Sequence, residues 1–277
     1  MMNIRYSSGI SEYSRMNTGE LRGSYLLENL FAPGKIQSTY WETDRAVISS
    51  IVPLGFELKL MTEPELASAT FFERREAGIL NLGGPGAISV DGVSYELNEM
   101  ECLYIGRGCA DPVFTSKNPT QPAKYYLISY PAHCKHPTSL MKVSEATQIH
   151  LGRQETANVR TIYQYIHEKG LKSCQLVMGL TRLDAGSVWN TMPPHTHLRR
   201  SEIYMYFNIP DQAAVFHFMG QPDETRSLVL HNEQAVLSPP WSIHSGCGTA
   251  AYAFVWAMGG ENQRFDDMDP ANLSNLK

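Results

Sequence analysis

YELNEMECLYIG (residues 95–106) and VLHNEQAVLSPP (residues 229–240) follow one plan: a strand, a polar turn, then an apolar strand ending at a Gly or Pro turn. Further upstream of each, Arg74-Arg75-Glu76 parallels Arg199-Arg200-Ser201-Glu202. Two such echoes in the same order along the chain mark a repeated structural unit. The sequence between and around them is written in the same rhythm. AVISSIVPLGFELKL (46–60), AGILNLGGPGAISVDGVSYEL (77–97) and KYYLISYPA (124–132) are short, rich in β-branched and aromatic residues, and broken by Gly, Pro, Asp and Asn. SCQLVMGLTRL (173–183), EIYMYFNI (202–209), AAVFHFM (213–219) and AYAFVWAMG (251–259) repeat the pattern. Short strands separated by turn residues predict an all-β chain of sandwich or barrel type. The echo makes it two related barrels in tandem, residues 1–140 and residues 141–277. Residues 18–27 and 157–166 are expected to add short helices, and Asp91-Gly92 a tight hairpin.

Composition sets outer bounds. A chain of 277 residues with 43% hydrophobic content can bury large cores and is too poor in charge, at 18%, to be disordered. The formal charge of −5 gives no long-range attraction to nucleic acid or an acidic membrane. No apolar run approaches the roughly 20 residues of a membrane helix, and no signal-peptide stretch opens the chain, so a cytoplasmic protein is expected. The five cysteines, 102, 109, 134, 174 and 247, are scattered without a CxxC pair and read as buried free thiols.

The two halves differ in chemistry. No histidine precedes His133, so the first barrel has none on its strands for a metal site. The second carries MPPHTHLRRSE (192–202). Residues two apart on a strand face the same way, so His195 and His197 can present both imidazoles to one point. A tight turn after His197 would return Glu202 beside them, and PPWSIH (239–244) supplies His244 from a distant strand. Three imidazoles and a carboxylate suit zinc, iron, manganese or nickel. His133 and His136, with Cys134 in PAHCKHP (131–137), look like a ligand cluster. They lie among prolines in an expected inter-barrel linker and are read as structural, as are His150, His167, His217 and His231.

The pattern HxH-x4-E followed by Pro-xxx-His is similar to that of the cupin superfamily, whose fold is a jelly-roll barrel. More closely, SCQLVMGLTRLDAGSVWNTMPPHTHLRRSEIYMYF (173–207) and LSPPWSIHSGCGTAAYAFVWAMGGEN (237–262) resemble the 5-keto-4-deoxyuronate isomerase family of pectin and uronate breakdown, with NTMPPHTH and RRSE as the specific stretches. The resemblance implies two tandem cupin-type barrels, the first degenerate. It also implies one zinc per chain on His195, His197, Glu202 and His244, a small keto-uronate substrate, and a homo-oligomer, with a hexamer as the expected form. The implied reaction is an aldose–ketose isomerisation, in which a proton beside a carbonyl leaves and returns one carbon away. Its proton shuttle is not identified; a metal-bound hydroxide, Tyr204 and Tyr252 are candidates. Arg199 and Arg200, nearest the metal in sequence, are candidates for the substrate carboxylate, with Arg160 and Arg182 next. A metal-dependent cupin dioxygenase and a non-catalytic sugar-binding cupin are the alternatives.

Overall fold

Asp91 and Gly92 turn the chain with both residues at positive φ, 51° and 77°, and so join Gly86–Val90 to Val93–Leu97 in antiparallel register. Glycine and aspartate meet that backbone demand at low cost. Turns of this economy recur through the computed structural model, which describes residues 2–277 and is built mainly of short antiparallel strands.

The chain divides into two compact units. The first comprises residues 1–5, 30–146 and 165–177; the second comprises 6–29, 147–164 and 178–277. Each is a jelly-roll of a seven-stranded and a four-stranded sheet. In the first, the larger sheet runs Asn3–Arg5, Ile36–Trp41, Ala46–Ile51, Tyr125–Pro131, Arg75–Asn81, Cys102–Ile105, Ser139–Met141. Its smaller sheet runs Leu58–Lys59, Val113–Ser116, Gly86–Val90, Val93–Leu97. In the second, the larger sheet runs Thr147–Leu151, Arg160–Ile166, Val177–Leu183, Ala253–Gly260, Arg200–Phe207, Gln234–Ser238, Leu26–Leu27, and the smaller Trp189–Asn190, Ile243–Gly248, Val215–Gln221, Glu224–Leu230. The two plans correspond strand for strand. The echoed segments 95–106 and 229–240 fall at the same places, passing from the edge of the smaller sheet to the sixth position of the larger.

The first interior is apolar. Val47, Ile79, Leu103 and Leu127 from the larger sheet meet Ile88, Val90 and Phe114 from the smaller one, all buried. Each such side chain contributes roughly 1.5–3 kcal/mol by leaving water.

Two expectations need correction. Residues 157–166 are not helical: Arg160–Ile166 is a strand in which Thr161, Tyr163 and Tyr165 are buried. Thr161, Ile162 and two tyrosines favour the pleated surface over a helix. Nor are the units contiguous halves cut near residue 140. Helix Thr18–Tyr25 starts at a capping box between Asn17 and Glu20 and runs straight into Leu26–Leu27, which pairs with Val236 and Ala235 on the second unit's edge. The N-terminal arm therefore completes the second unit.

Tyr13 pins that arm. It is wholly buried, its hydroxyl donates to the carbonyls of Met219 (3.0 Å) and Glu224 (3.1 Å), and its ring meets Trp241 edge-on at 5.2 Å. The hydroxyl reaches them only because Gly220, at φ +108°, has no side chain; a Cβ there would stand 2.0 Å from the Tyr13 oxygen. Gly220→Ala is accordingly expected to lower unfolding stability by about 1–3 kcal/mol, the usual cost of overpacking. A denaturant midpoint equal to that of the parent protein would show that the arm gives way freely.

Candidate metal centre

His195 lies on the two-residue strand His195–Thr196, which pairs with Asp269–Pro270 near the C-terminus. The chain then turns through Leu198 and Arg199, closed by the Arg200 N–H donating to the His197 carbonyl at 3.1 Å. Strand Arg200–Phe207 begins there and carries Glu202 inward. His244 enters from the smaller sheet, just after a turn in which the Ser242 N–H donates to Pro239. The turn expected after His197 and the distant fourth residue are both found.

The four side chains converge tightly. Nε2 of His195 lies 3.1 Å from Nε2 of His197 and 3.0 Å from Nε2 of His244. Glu202 Oε2 lies 3.1 Å from His197 Nε2 and 3.0 Å from His244 Nε2. A tetrahedral ion with bonds of about 2.0–2.1 Å spaces its ligands by roughly 3.3 Å, so a few tenths of an ångström of expansion would admit one. His197, Glu202 and His244 are buried and His195 is half-buried, and lone pairs of imidazole nitrogens crowd a carboxylate, an arrangement that a cation relieves. Burial and the neighbouring imidazoles of His244 and His197 push His195 down to about 2, so it stays neutral and able to ligate. Burial pushes the Glu202 carboxyl upward, but the imidazoles of His244 and His197 outweigh it and hold it well below the ordinary carboxylate range. These donors fit a divalent metal.

Outer partners fix the orientation. Nδ1 of His197 donates to the Asp267 carbonyl at 2.7 Å, leaving Nε2 free to face the centre. Buried Arg200 donates to the same carbonyl at 2.6 Å and to the Arg264 carbonyl at 2.6 Å. Arg199 forms ion pairs with Asp267 (2.6 Å) and Asp269 (2.9 Å). Both arginines read as substrate partners are thus engaged with the C-terminal segment, away from the cavity over the metal centre. The acidic spacing Asp267-Met268-Asp269 is the signal in the sequence from which this pairing could have been read, and it was missed.

That cavity has a volume of about 290 Å³ and reaches His195, His197 and Glu202. Its walls are mostly apolar, from Ile162, Phe254, Trp256, Phe265 and others, and Arg160 is the arginine among them. The Arg160 Nη1 donates to the Asn158 carbonyl at 2.8 Å, and burial lowers its pKa. Tyr204 also lines the cavity; its hydroxyl is 3.3 Å from Thr191 Oγ1, and burial together with the Glu202 charge pushes its pKa well above that of a free phenol. Tyr252 does not line it, and its hydroxyl donates to Asn190 Oδ1 at 2.5 Å. Arg182 is exposed on its strand.

Of the remaining histidines, His217 is wholly buried, and its Nδ1 is 2.8 Å from the Tyr206 hydroxyl. His150 Nδ1 meets Thr161 Oγ1 at 2.9 Å. One cysteine expectation fails: Cys134 is exposed, and Cys174 and Cys247 are only partly covered.

The KduI/IolB family pattern matches residues 27–273. A 4-deoxy-L-threo-5-hexosulose-uronate ketol-isomerase of Kineococcus radiotolerans is 54% identical over 279 residues, covering 100% of both chains. The protein of the same name from Halalkalibacterium halodurans is 49% identical over 276 residues, again covering 100% of both. Among solved structures, an IolB-like protein from Salmonella typhimurium superposes with a TM-score of 0.71 at 16% identity, over 87% of this chain and 94% of that one. A variant of Bacillus subtilis oxalate decarboxylase reaches 0.58 at 10% identity, over 87% and 78%.

Proposed function

The chain belongs to the KduI/IolB family and is an aldose–ketose isomerase, and from that premise we propose that it is zinc-dependent and acts on 5-dehydro-4-deoxy-D-glucuronate. The product is 3-deoxy-D-glycero-2,5-hexodiulosonate, in the breakdown of pectin-derived uronates. The observation that carries this reading is the buried cluster of His195, His197, Glu202 and His244 at a cavity that also presents Arg160 and Tyr204.

The reaction is redox-neutral within one molecule: the aldehyde carbon is reduced while its carbinol neighbour is oxidised. One carbon-bound proton leaves, and one returns to the adjacent carbon. His195, His197, Glu202 and His244 would hold the zinc, which when bound withdraws charge from the substrate oxygens and stabilises the enediolate. The chain's own residues order the substrate and carry its oxygen-bound proton. Arg160 pairs with the substrate carboxylate and thereby orders the sugar along the cavity. Tyr204 relays the oxygen-bound proton: its hydroxyl gives its own proton to the aldehyde oxygen and takes up the one that the neighbouring substrate hydroxyl releases. Tyr252 holds Asn190 instead. The walls are mostly apolar, and a cavity of about 290 Å³ is of a size to hold one monosaccharide acid. On the same reading the enzyme works in the cytoplasm as a homo-oligomer, with a hexamer as the expected form.

The test is turnover. The purified protein should interconvert the two keto-uronates without taking up oxygen, lose that activity on chelation, and regain it with zinc. Undiminished turnover in the chelated, metal-free protein would refute zinc dependence. Oxygen consumption with substrate would favour the dioxygenase.

A further inference from the structure

A second cluster lies in the first unit, apart from the barrel centre. We propose that His133, Cys134 and Cys174 form a second zinc site, a two-cysteine, one-histidine clip between the segment after strand Tyr125–Pro131 and residues 165–177, with His136, beside Cys134, turning in as the fourth ligand when the ion binds.

Ligand atoms of His133, Cys134 and Cys174 all lie within 4.8 Å of one another. Cys134 Sγ is 3.4 Å from Cys174 Sγ and 3.3 Å from His136 Nε2. Tetrahedral zinc, with bonds of about 2.3 Å to sulfur and 2.0–2.1 Å to nitrogen, sets such edges at roughly 3.6–3.8 Å, so the cluster is close to the required size. Histidine and cysteine together are the donor set of structural zinc.

The backbone under these donors is fixed before any ion arrives. The buried carboxylate of Glu76 accepts the N–H groups of Cys174 (2.7 Å), Gln175 (2.9 Å) and Leu176 (3.0 Å), and the Tyr104 hydroxyl at 2.7 Å. Across from it, Arg107 donates to the carbonyls of Ala132 (3.1 Å) and His133 (3.3 Å). Gly106 lets the His136 carbonyl pack where a Cβ would stand at 1.9 Å. The Cys134 N–H points at Cys174 Sγ at 3.4 Å, a contact that favours a thiolate there. Burial raises the Cys174 thiol to about 11, so zinc would displace a proton on binding. Cys134 and His133 are exposed, which gives the ion a path from solvent.

Cobalt reports on this site separately from the barrel, because only a thiolate ligand gives an intense near-ultraviolet charge-transfer band and the barrel centre has no sulfur. The full-length protein is reduced, stripped of metal and titrated with cobalt. Two equivalents should bind per chain, with the thiolate band accompanying one of them. Cys134→Ser/Cys174→Ser should lose that band and that equivalent while keeping the other equivalent and the isomerase activity. The single surface change His133→Asn, which leaves both thiols in place, should weaken cobalt binding at least tenfold. A reduced protein without the band, a band that survives the double substitution, or thiols that pair as a disulfide and bind no cobalt after reduction would each overturn the proposal.

Discussion

Glu202→Gln is expected to strip the barrel of its metal and to lower kcat/KM by about a thousandfold or more, the scale of the several kcal/mol that a positioned Lewis acid supplies. Glutamine keeps the shape and removes the charge. In the native arrangement the carboxylate oxygen lies 3.1 Å from His197 and 3.0 Å from His244, and it is the anionic member of the set. Losing it removes the main electrostatic attraction for a divalent ion at a site that is otherwise neutral. The fold should persist, since the larger sheet's ladder through Glu202, paired with Ser238 and Met258, is made by backbone groups. Elemental analysis should show one equivalent of zinc fewer than in the parent protein, with an unchanged far-ultraviolet spectrum. A variant that keeps its full zinc and its turnover would remove Glu202 from the centre.

Arg160→Met should leave the zinc in place and still depress kcat/KM on the keto-uronate by about 10- to 150-fold, equivalent to a lost charge-assisted contact of roughly 1.5–3 kcal/mol. A neutral keto sugar should be affected far less. Arg199→Met makes the contrast. Its guanidinium holds Asp267 and Asp269, and the Asp267 carbonyl receives the His197 Nδ1–H. Its effect should therefore run through the metal, weakening zinc by about 10- to 100-fold, with turnover recovering when zinc is saturating. If Arg199→Met lowers efficiency at full zinc occupancy and Arg160→Met does not, the two assignments exchange.

The parts of the site legible in the sequence were those written in local spacing. His195, His197 and Glu202 are five to seven residues apart at most, and one strand and one turn are enough to bring them together. His244 was visible because a proline turn precedes it. What spacing cannot encode is the direction a long side chain takes. Arg199 and Arg200 lie between two candidate ligands, His197 and Glu202, yet Asp267 and Asp269, together with the Arg264 and Asp267 carbonyls, draw them to the other side. Arg160 sits far off in sequence, but it shares its strand face with Ile162 by simple alternation, and both line the cavity. Cys174 meets Cys134 only through tertiary folding, so the HCKH stretch by itself looked like a linker. The fold class was legible because strand rhythm and echo agree. The ownership of the N-terminal arm was not, because Leu26–Leu27 is a two-residue strand with no periodicity to read.

The arm also sets a timetable. Tyr13 bonds to the Met219 carbonyl, 206 positions later in the chain. At a synthesis rate of about 5–20 residues per second, the ribosome needs roughly 10–40 s to deliver the partner after the arm has emerged. Throughout that interval Tyr13, Tyr25, Leu26 and Leu27, all buried in the finished protein, have no sheet to join. The first unit's long central run, residues 30–146, is synthesised meanwhile. The unit that carries the candidate metal centre is therefore the last to close, and its earliest-made residues are the ones kept waiting.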